Sequence, residues 1–84
     1  MIPVKLAVAK AVEFAEAMLG ASNILLEEVG LGKDGPNDVW MVTLSFPGRS
    51  GLAALGGREY KTFTVRGDTG EVTHMRIREL AGGG

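Results

Sequence analysis

Cysteine is absent from this chain, and histidine occurs once among its 84 residues. Without cysteine there is neither a disulfide framework nor a thiolate nucleophile, a composition compatible with a reducing cytosol. One histidine and scattered carboxylates do not make a zinc or iron site of ordinary composition. We therefore expect no metal, no cofactor and no enzyme activity.

An excess of one charge and a long apolar run are also lacking. Nine basic and ten acidic residues leave a net charge of -1, so nucleic acid is not an expected partner. The largely apolar first twenty residues are interrupted by Lys5, Lys10, Glu13 and Glu16. They match neither a signal peptide nor a membrane span. We expect a soluble, cytoplasmic chain without membrane contact.

The length allows only one apolar core, so we assign a single domain to residues 1–80. Residues 81–84 read Ala-Gly-Gly-Gly, and we interpret them as a flexible tail because glycine holds no fixed conformation without contacts. Ubiquitin-like modifiers also end in Gly-Gly, which leaves a modifier role as a less favoured alternative. Their β-grasp core, however, begins with a hairpin, whereas this chain begins with a helical pattern.

A helix is predicted between Pro3, which suits a first helical turn, and Gly20, which suits the position after a last turn. The apolar residues between them cover about half of the helix circumference, with the charged residues opposite. Such a helix is expected to cover one face of a sheet. The apolar stripe consists of Val4, Val8, Ala11, Val12, Phe14, Ala15, Met18 and Leu19.

Four strand-like runs follow, near residues 24–29, 39–46, 60–66 and 71–80, separated by glycine, proline and aspartate. Alternation in the second run places Trp40, Val42 and Leu44 on one face. The predicted fold class is α+β, with one N-terminal helix packed on a four-stranded antiparallel β-meander. Because the first run alternates poorly, a continuation of the helix is the alternative there.

This order of elements resembles a PepSY domain, a cystatin-like arrangement of helix and sheet. The resemblance is carried by the Ala-rich helix AKAVEFAEAML, the strand with Trp40 and Val42, the strand at 60–65, and Thr69-Gly70-Glu71-Val72. It implies a non-catalytic module of the kind found in peptidase propeptides, where peptidase inhibition is suggested. Two features depart from the family. The first twenty residues do not match the export signal expected in that family, and Arg66 stands where an acidic residue is common.

Individual candidates for catalysis are weak. His74 is predicted on the polar face of the fourth strand, where a solvated histidine is favoured over a catalytic one. Glu27 and Glu28 are adjacent on a strand, so alternation should send them to opposite faces. Asp34 and Asp38 flank a polar turn. The glycine-rich GRSGLAALGG lacks the Lys-Ser/Thr of a phosphate loop and is interpreted as a connection.

Two places are candidates for partner contact. Leu52 and Leu55 lie in the loop at 47–57 and must either pack on the domain's own core or meet a partner. Arg76 and Arg78 predict a basic stripe on the exposed sheet face, either binding an acidic peptide or pairing with Glu59 or Glu71. The same stripe is expected to include Arg66 and Lys61 on neighbouring strands.

The tripeptide Arg66-Gly67-Asp68 is one that adhesion proteins use to bind integrins. Here it stands between two strand-like runs, and Asp68, Thr69 and Gly70 fit a hairpin turn that ends with a left-handed glycine. We therefore predict a turn and not a receptor motif.

The function expected from these observations is that of a non-catalytic protein-binding or regulatory module. Modulation of a peptidase is the specific role that the PepSY resemblance implies. The alternatives are a homo-oligomeric structural protein, such as a homodimer formed through a free sheet edge, and a small enzyme that uses His74.

Overall fold

A computed structural model describes residues 1–48 and 57–77 of the chain. One helix, α1 (Val4–Leu19), precedes four strands, β1 (Leu25–Asp34), β2 (Asn37–Pro47), β3 (Arg58–Arg66) and β4 (Val72–Ile77). The strands form one antiparallel sheet in the order β1-β2-β3-β4. The predicted α+β fold is therefore confirmed. Leu52, Leu55, Arg78 and the tail at 81–84 lie outside the described residues.

The ends of α1 follow from two residues with special backbone properties. Pro3 is extended at φ -64 and ψ 151 and precedes the first helical residue. Gly20 follows the last one in the left-handed region, at φ 62. Its N–H donates to the carbonyl of Glu16 at 3.1 Å, and the N–H of Ala21 donates to the carbonyl of Ala15 at 3.2 Å. With Gly20 in the left-handed region, the bond from its N–H to Glu16 is the one that defines the αL C-cap, which glycine favours.

The face of α1 that meets the sheet is made of alanine. Ala7, Ala11 and Ala15 are fully buried, one turn apart on a single line. Because alanine is small, the helix can lie close to the sheet. The predicted stripe is wrong at Val4 and Met18, which are 37% and 68% exposed. Apolar side chains beside the alanine line are partly buried: Val8, Val12, Phe14 and Leu19.

The face of the sheet towards α1, the inner face, forms the core with these alanines. Val42 on β2 lies opposite Phe63 on β3, and both side chains are fully buried. Phe14 of α1 packs its ring edge-on against Phe63, with centroids 6.0 Å apart. Trp40 Nε1 donates to the carbonyl of Ile2 at 3.0 Å, which fixes the residues before α1 to the sheet.

Strand β1 is longer than predicted. Its pairing with β2 continues to Asp34 opposite Asn37, so only Gly35 and Pro36 form the connection. Gly35 has φ 61, the left-handed conformation that tight two-residue hairpins require. The polar sequence after residue 29 is thus mostly strand, and the alternative of a continued helix is wrong.

The outer face of the sheet, away from α1, is less exposed than predicted. Val39, Thr43 and Ser45 are buried along β2. In a flat sheet β1 and β4 would lie three strand spacings, about 14 Å, apart. Yet Asp34 on β1 comes within 3.8 Å of His74 on β4. The end of the β1–β2 hairpin therefore curls over this face and restricts solvent access to it.

Candidate partner-binding surface

An apolar groove lies between α1 and β1. Its volume is about 380 Å³. Leu26 of β1 is 50% exposed and Val4 of α1 is 37% exposed, so large apolar side chains on both sides of the groove remain partly in solvent. Lys5 is the one charged residue in the lining, which otherwise consists of Val4, Val8, Ala9, Leu26 and Val29.

The groove is open because α1 lies over the centre of the sheet and not over β1. The helix packs mainly on β2 and β3, then on β4, and makes few contacts with β1. Leu31, which lies opposite Trp40 in the register, has no helix above it and is 68% exposed. We call the residues Val4, Val8, Leu26, Val29 and Leu31 the β1 surface.

A polar network holds the beginning of β1 in place. The β1–β2 register shifts at Glu27, an extra residue of the kind that forms a β-bulge. Ser45 Oγ donates to the Glu27 carboxylate at 2.6 Å and accepts from Arg58 Nε at 2.9 Å. Arg58 Nη2 also donates to the carbonyls of Asn23 and Ser45, both at 2.8 Å. The network joins the chain before β1 to β2 and β3 and so fixes the position of the β1 surface.

The same bulge shows that one expectation was wrong. Glu27 and Glu28 were expected on opposite faces, but Glu27 bonds Ser45 and Glu28 lies opposite Thr43. Ser45 and Thr43 are two residues apart on β2 and share the outer face. Both carboxylates therefore lie on the outer side, because an extra residue interrupts the two-residue period of a strand.

His74 lies in a small depression of the outer face, about 190 Å³ in volume. Its Nδ1 is 3.8 Å from Asp34 Oδ2, which is too long for a hydrogen bond. The same nitrogen is 3.1 Å from Oγ1 of Thr73. The nearby hydroxyl of Thr64 donates to the sulfur of Met41 at 3.7 Å. This geometry supports a weak, exposed ion pair between His74 and Asp34 when His74 is protonated, and it places the Thr73 hydroxyl within hydrogen-bond distance of the ring.

Metal-ligating side chains are scattered over the described part of the chain. In residues 1–48 and 57–77, no three histidine, aspartate or glutamate side chains are grouped so as to hold a metal ion.

The predicted basic stripe is not assembled as expected. Lys61 lies opposite Leu44 and Ile77, which places it on the inner side of the sheet. The expectation for Lys61 is wrong because its strand position is odd, like that of Phe63, and strand residues alternate between faces. Arg76 does lie on the outer side, opposite Thr62. It remains a candidate for partner contact.

The turn between β3 and β4 uses the charges of the Arg-Gly-Asp tripeptide internally. Arg66 binds Asp68 with two hydrogen bonds, Nε to Oδ1 at 3.0 Å and Nη2 to Oδ2 at 2.7 Å. These bonds hold the pKa of Asp68 below its ordinary value and raise the pKa of Arg66. Gly70 has φ 80, the left-handed conformation expected at this turn.

Gly67 has a different role, which sequence reasoning missed. Its N–H donates to the carbonyl of Asp38 at 2.9 Å, and its own carbonyl accepts from the N–H of Ile2 at 2.6 Å. A Cβ on Gly67 would lie 2.8 Å from the Asp38 carbonyl oxygen. The glycine of the tripeptide is thus needed where three backbone segments meet.

Sequence reasoning also missed the β1 surface. It placed Val4 and Val8 in a buried stripe and singled out neither Leu26 nor Leu31. The available signal was the poor alternation of LLEEVGLG, in which leucines stand beside acidic residues and glycine. A bulge and an uncovered strand both produce such a pattern.

Comparisons of the chain with protein-family models, with curated proteins and with solved structures find no match. Within residues 1–48 and 57–77, no helix has the length and apolar character needed to cross a membrane.

Proposed function

We propose that this chain is a non-catalytic protein-binding module and that the β1 surface contacts the partner. The observation that carries the proposal is the open apolar groove between α1 and β1, continued by Leu31 at 68% exposure. Contiguous exposed apolar surface is characteristic of protein interaction sites. An edge strand adds backbone groups that a second strand can pair with.

The chemistry of this surface favours a partner that contributes an extended, largely apolar segment. The groove lining offers the single charge of Lys5, so specificity would come from side-chain shape and strand pairing. Modulation of a peptidase, the role implied by the PepSY resemblance, belongs to this proposal as its more specific form. So does the cytoplasmic location, which fractionation of the source cell would test.

The competing enzyme proposal has weaker support. It depends on His74, whose carboxylate neighbour is 3.8 Å away and whose side chain is 54% exposed. Catalytic bases are usually held in place by a hydrogen-bonded partner, and this carboxylate lies beyond hydrogen-bond reach of the ring. A binding role therefore accounts for more of the observed geometry.

The test compares the unmodified chain with Leu26→Glu. Each is immobilised, and proteins that it captures from the source cell are purified and titrated back; a captured peptidase is also assayed for activity. We expect saturable binding to the unmodified chain and binding at least about tenfold weaker to Leu26→Glu, a loss of about 1.4 kcal/mol. Met18→Glu is the matched control because Met18 is also exposed but lies outside the β1 surface.

The proposal is contradicted if no captured protein binds saturably. It is also contradicted if a purified partner binds the unmodified chain and Leu26→Glu with equal affinity, because the partner would then use another surface.

A further inference from the structure

The edge strand β1 is longer than the usual five or six residues of a strand. β1 runs over ten residues, and within the described residues it pairs only with β2. Proteins usually protect such edges with a bulge, a lysine or a proline. Here the bulge at Glu27 and the lysine at position 33 stand near the two ends. The segment between them that contains Val29, Gly30, Leu31 and Gly32 carries no charge.

Gly30 at the middle of this segment has no explanation within the described monomer. Its φ is not in the left-handed region, and a Cβ at this position would meet no described atom within 4 Å. Gly32 differs, since a Cβ there would lie 3.0 Å from Cγ of Met41. Glycine weakens a strand interior and often marks a place where another backbone approaches closely.

We propose that β1 pairs antiparallel with β1 of a second copy of this chain, about a two-fold axis at Gly30. This inference depends on the proposed binding function and names the partner. In an antiparallel ladder, opposed residues approach to about 4.5 Å between Cα atoms at the non-hydrogen-bonded positions. With glycine at the axis, the outer side of the seam carries no side chain at that point.

The register about Gly30 matches apolar residues with apolar residues. Val29 of each copy lies opposite the partner's Leu31, on the inner side of the joined sheet. Lys33 of each copy is paired within its own chain, Nζ to Asp38 Oδ1 at 2.6 Å. A parallel arrangement would place the acidic residues Glu27 and Glu28 of the two copies together, so repulsion between them favours the antiparallel orientation.

Joining the sheets in this way also closes the apolar groove. An axis perpendicular to the sheet keeps both α1 helices on the same side, one on each side of the joined β1 strands. The two grooves then face each other across the axis, and Leu31 becomes buried between them. A stable dimer buries about 800 Å² per partner. In the proposed dimer, both the strand edge and the groove would contribute to the buried area.

The test is sedimentation velocity of the full chain from micromolar to millimolar concentration. We expect a reversible dimer for the unmodified chain, because the β1 surface is apolar and self-complementary. Leu31→Glu places a charge in the seam and is expected to weaken dimerisation by about a hundredfold or more. Met18→Glu is the matched control: Met18 and Leu31 are equally exposed, at 68%, and this variant should dimerise like the unmodified chain. Circular dichroism confirms that each variant is folded.

Gly30→Lys provides a second variant. A Cβ at this position meets no described atom within 4 Å, so the monomer should stay folded. The dimer should weaken by about tenfold or more, because the two lysines would lie directly opposite each other at the axis, where like charges are destabilising.

The inference is overturned if the unmodified chain is monomeric at every concentration, or if it dimerises equally well with Leu31→Glu. The proposed binding function can be tested independently of this inference. A monomeric chain that binds a different protein through Leu26 removes the second copy as partner and leaves the binding function in place.

Discussion

Strands β1 and β3 are both neighbours of β2, and each pairs with it along nearly its whole length. Their side chains have opposite surroundings. On β3, Phe63 and Val65 are fully buried beneath α1, whereas on β1 Leu26 and Leu31 are 50% and 68% exposed. The strands share the same ladder, so hydrogen bonding does not explain the difference.

The position of each strand relative to α1 explains why side chains are buried on β3 and exposed on β1. The alanine line of α1 seats the helix over β2 and β3, and one helix is too narrow to cover four strands. β1 is therefore fixed in place by its ladder and by the Glu27–Ser45–Arg58 network while its apolar side chains remain available. A strand of this kind is ordered before it binds, so less conformational entropy is lost when a partner is bound.

The largest effect is expected from truncating the buried strand. Phe63→Ala removes a fully buried ring that packs against Phe14, and it should lower the free energy of unfolding by about 3–5 kcal/mol. Leu31→Ala on β1 should change it by about 0.5 kcal/mol or less, because exposed sites contribute little. Urea denaturation at low protein concentration measures both. Similar losses for the two variants would mean that β1 is buried after all.

The next effect concerns the network that holds β1. Ser45→Ala removes the hydroxyl that joins Glu27 to Arg58, in a side chain with no exposure. The expected loss is about 1–3 kcal/mol, because both charged partners lose a hydrogen bond. Urea denaturation again gives the value. Ser22→Ala, at an exposed position, is the control and should be nearly neutral; equal losses would show that the network does not stabilise the fold.

Two glycines provide the third comparison. Gly70 has φ 80, whereas Gly30 does not lie in the left-handed region. Gly70→Ala should destabilise the chain by about 1 kcal/mol, because alanine is strained at that φ. Gly30→Ala should be neutral or stabilising in the monomer. Thermal melting at low concentration separates the two, and unchanged melting of Gly70→Ala would contradict the assigned hairpin conformation.

The smallest expected effect on stability comes from the ion pair between Arg66 and Asp68 in the turn. The pKa of Asp68 is lowered by its bonds to Arg66, so the pair contributes to stability above the unfolded pKa of aspartate, about 3.9. That contribution is lost as the pH falls through the lower, folded pKa. NMR titration of the Asp68 carboxyl should give a higher pKa in Arg66→Gln than in the unmodified chain. An identical pKa in both would show that the pair does not form in solution.

Substitution of Asp68 by glutamate should nevertheless change stability little. The Asp68 side chain is 62% exposed, and exposed ion pairs contribute little to stability. A loss comparable to that of Ser45→Ala, measured in the same urea series, would show that the turn depends on the exact length of this side chain.

Much of the fold was predictable from short-range signals. The positions of Pro3 and Gly20 gave the ends of α1, and alternation in 39–46 and 60–66 gave the buried faces of β2 and β3. Gly70 gave the turn before β4. These signals act within a few residues, where steric limits on φ and ψ and the two-residue period of a strand operate directly.

The proposed binding surface was not predictable, because it depends on where distant elements lie. Nothing near Val4 shows that the helix packs through alanine and leaves this valine at the side. Likewise, the position of Leu31 outside the cover of α1 is a property of the packed sheet. The bulge at Glu27 was not predictable either. Its extra residue places Glu27 and Glu28 on the same face of the sheet, where opposite faces were expected.

The central claim is that β1 is an ordered edge that a second copy of the chain covers. Hydrogen–deuterium exchange measured over a range of protein concentrations tests it most directly. Amides of β1 around Val29 and Leu31 should exchange more slowly as the concentration rises, while those of β4, at the other edge, should not change. Exchange in β1 that is the same at every concentration would contradict the claim.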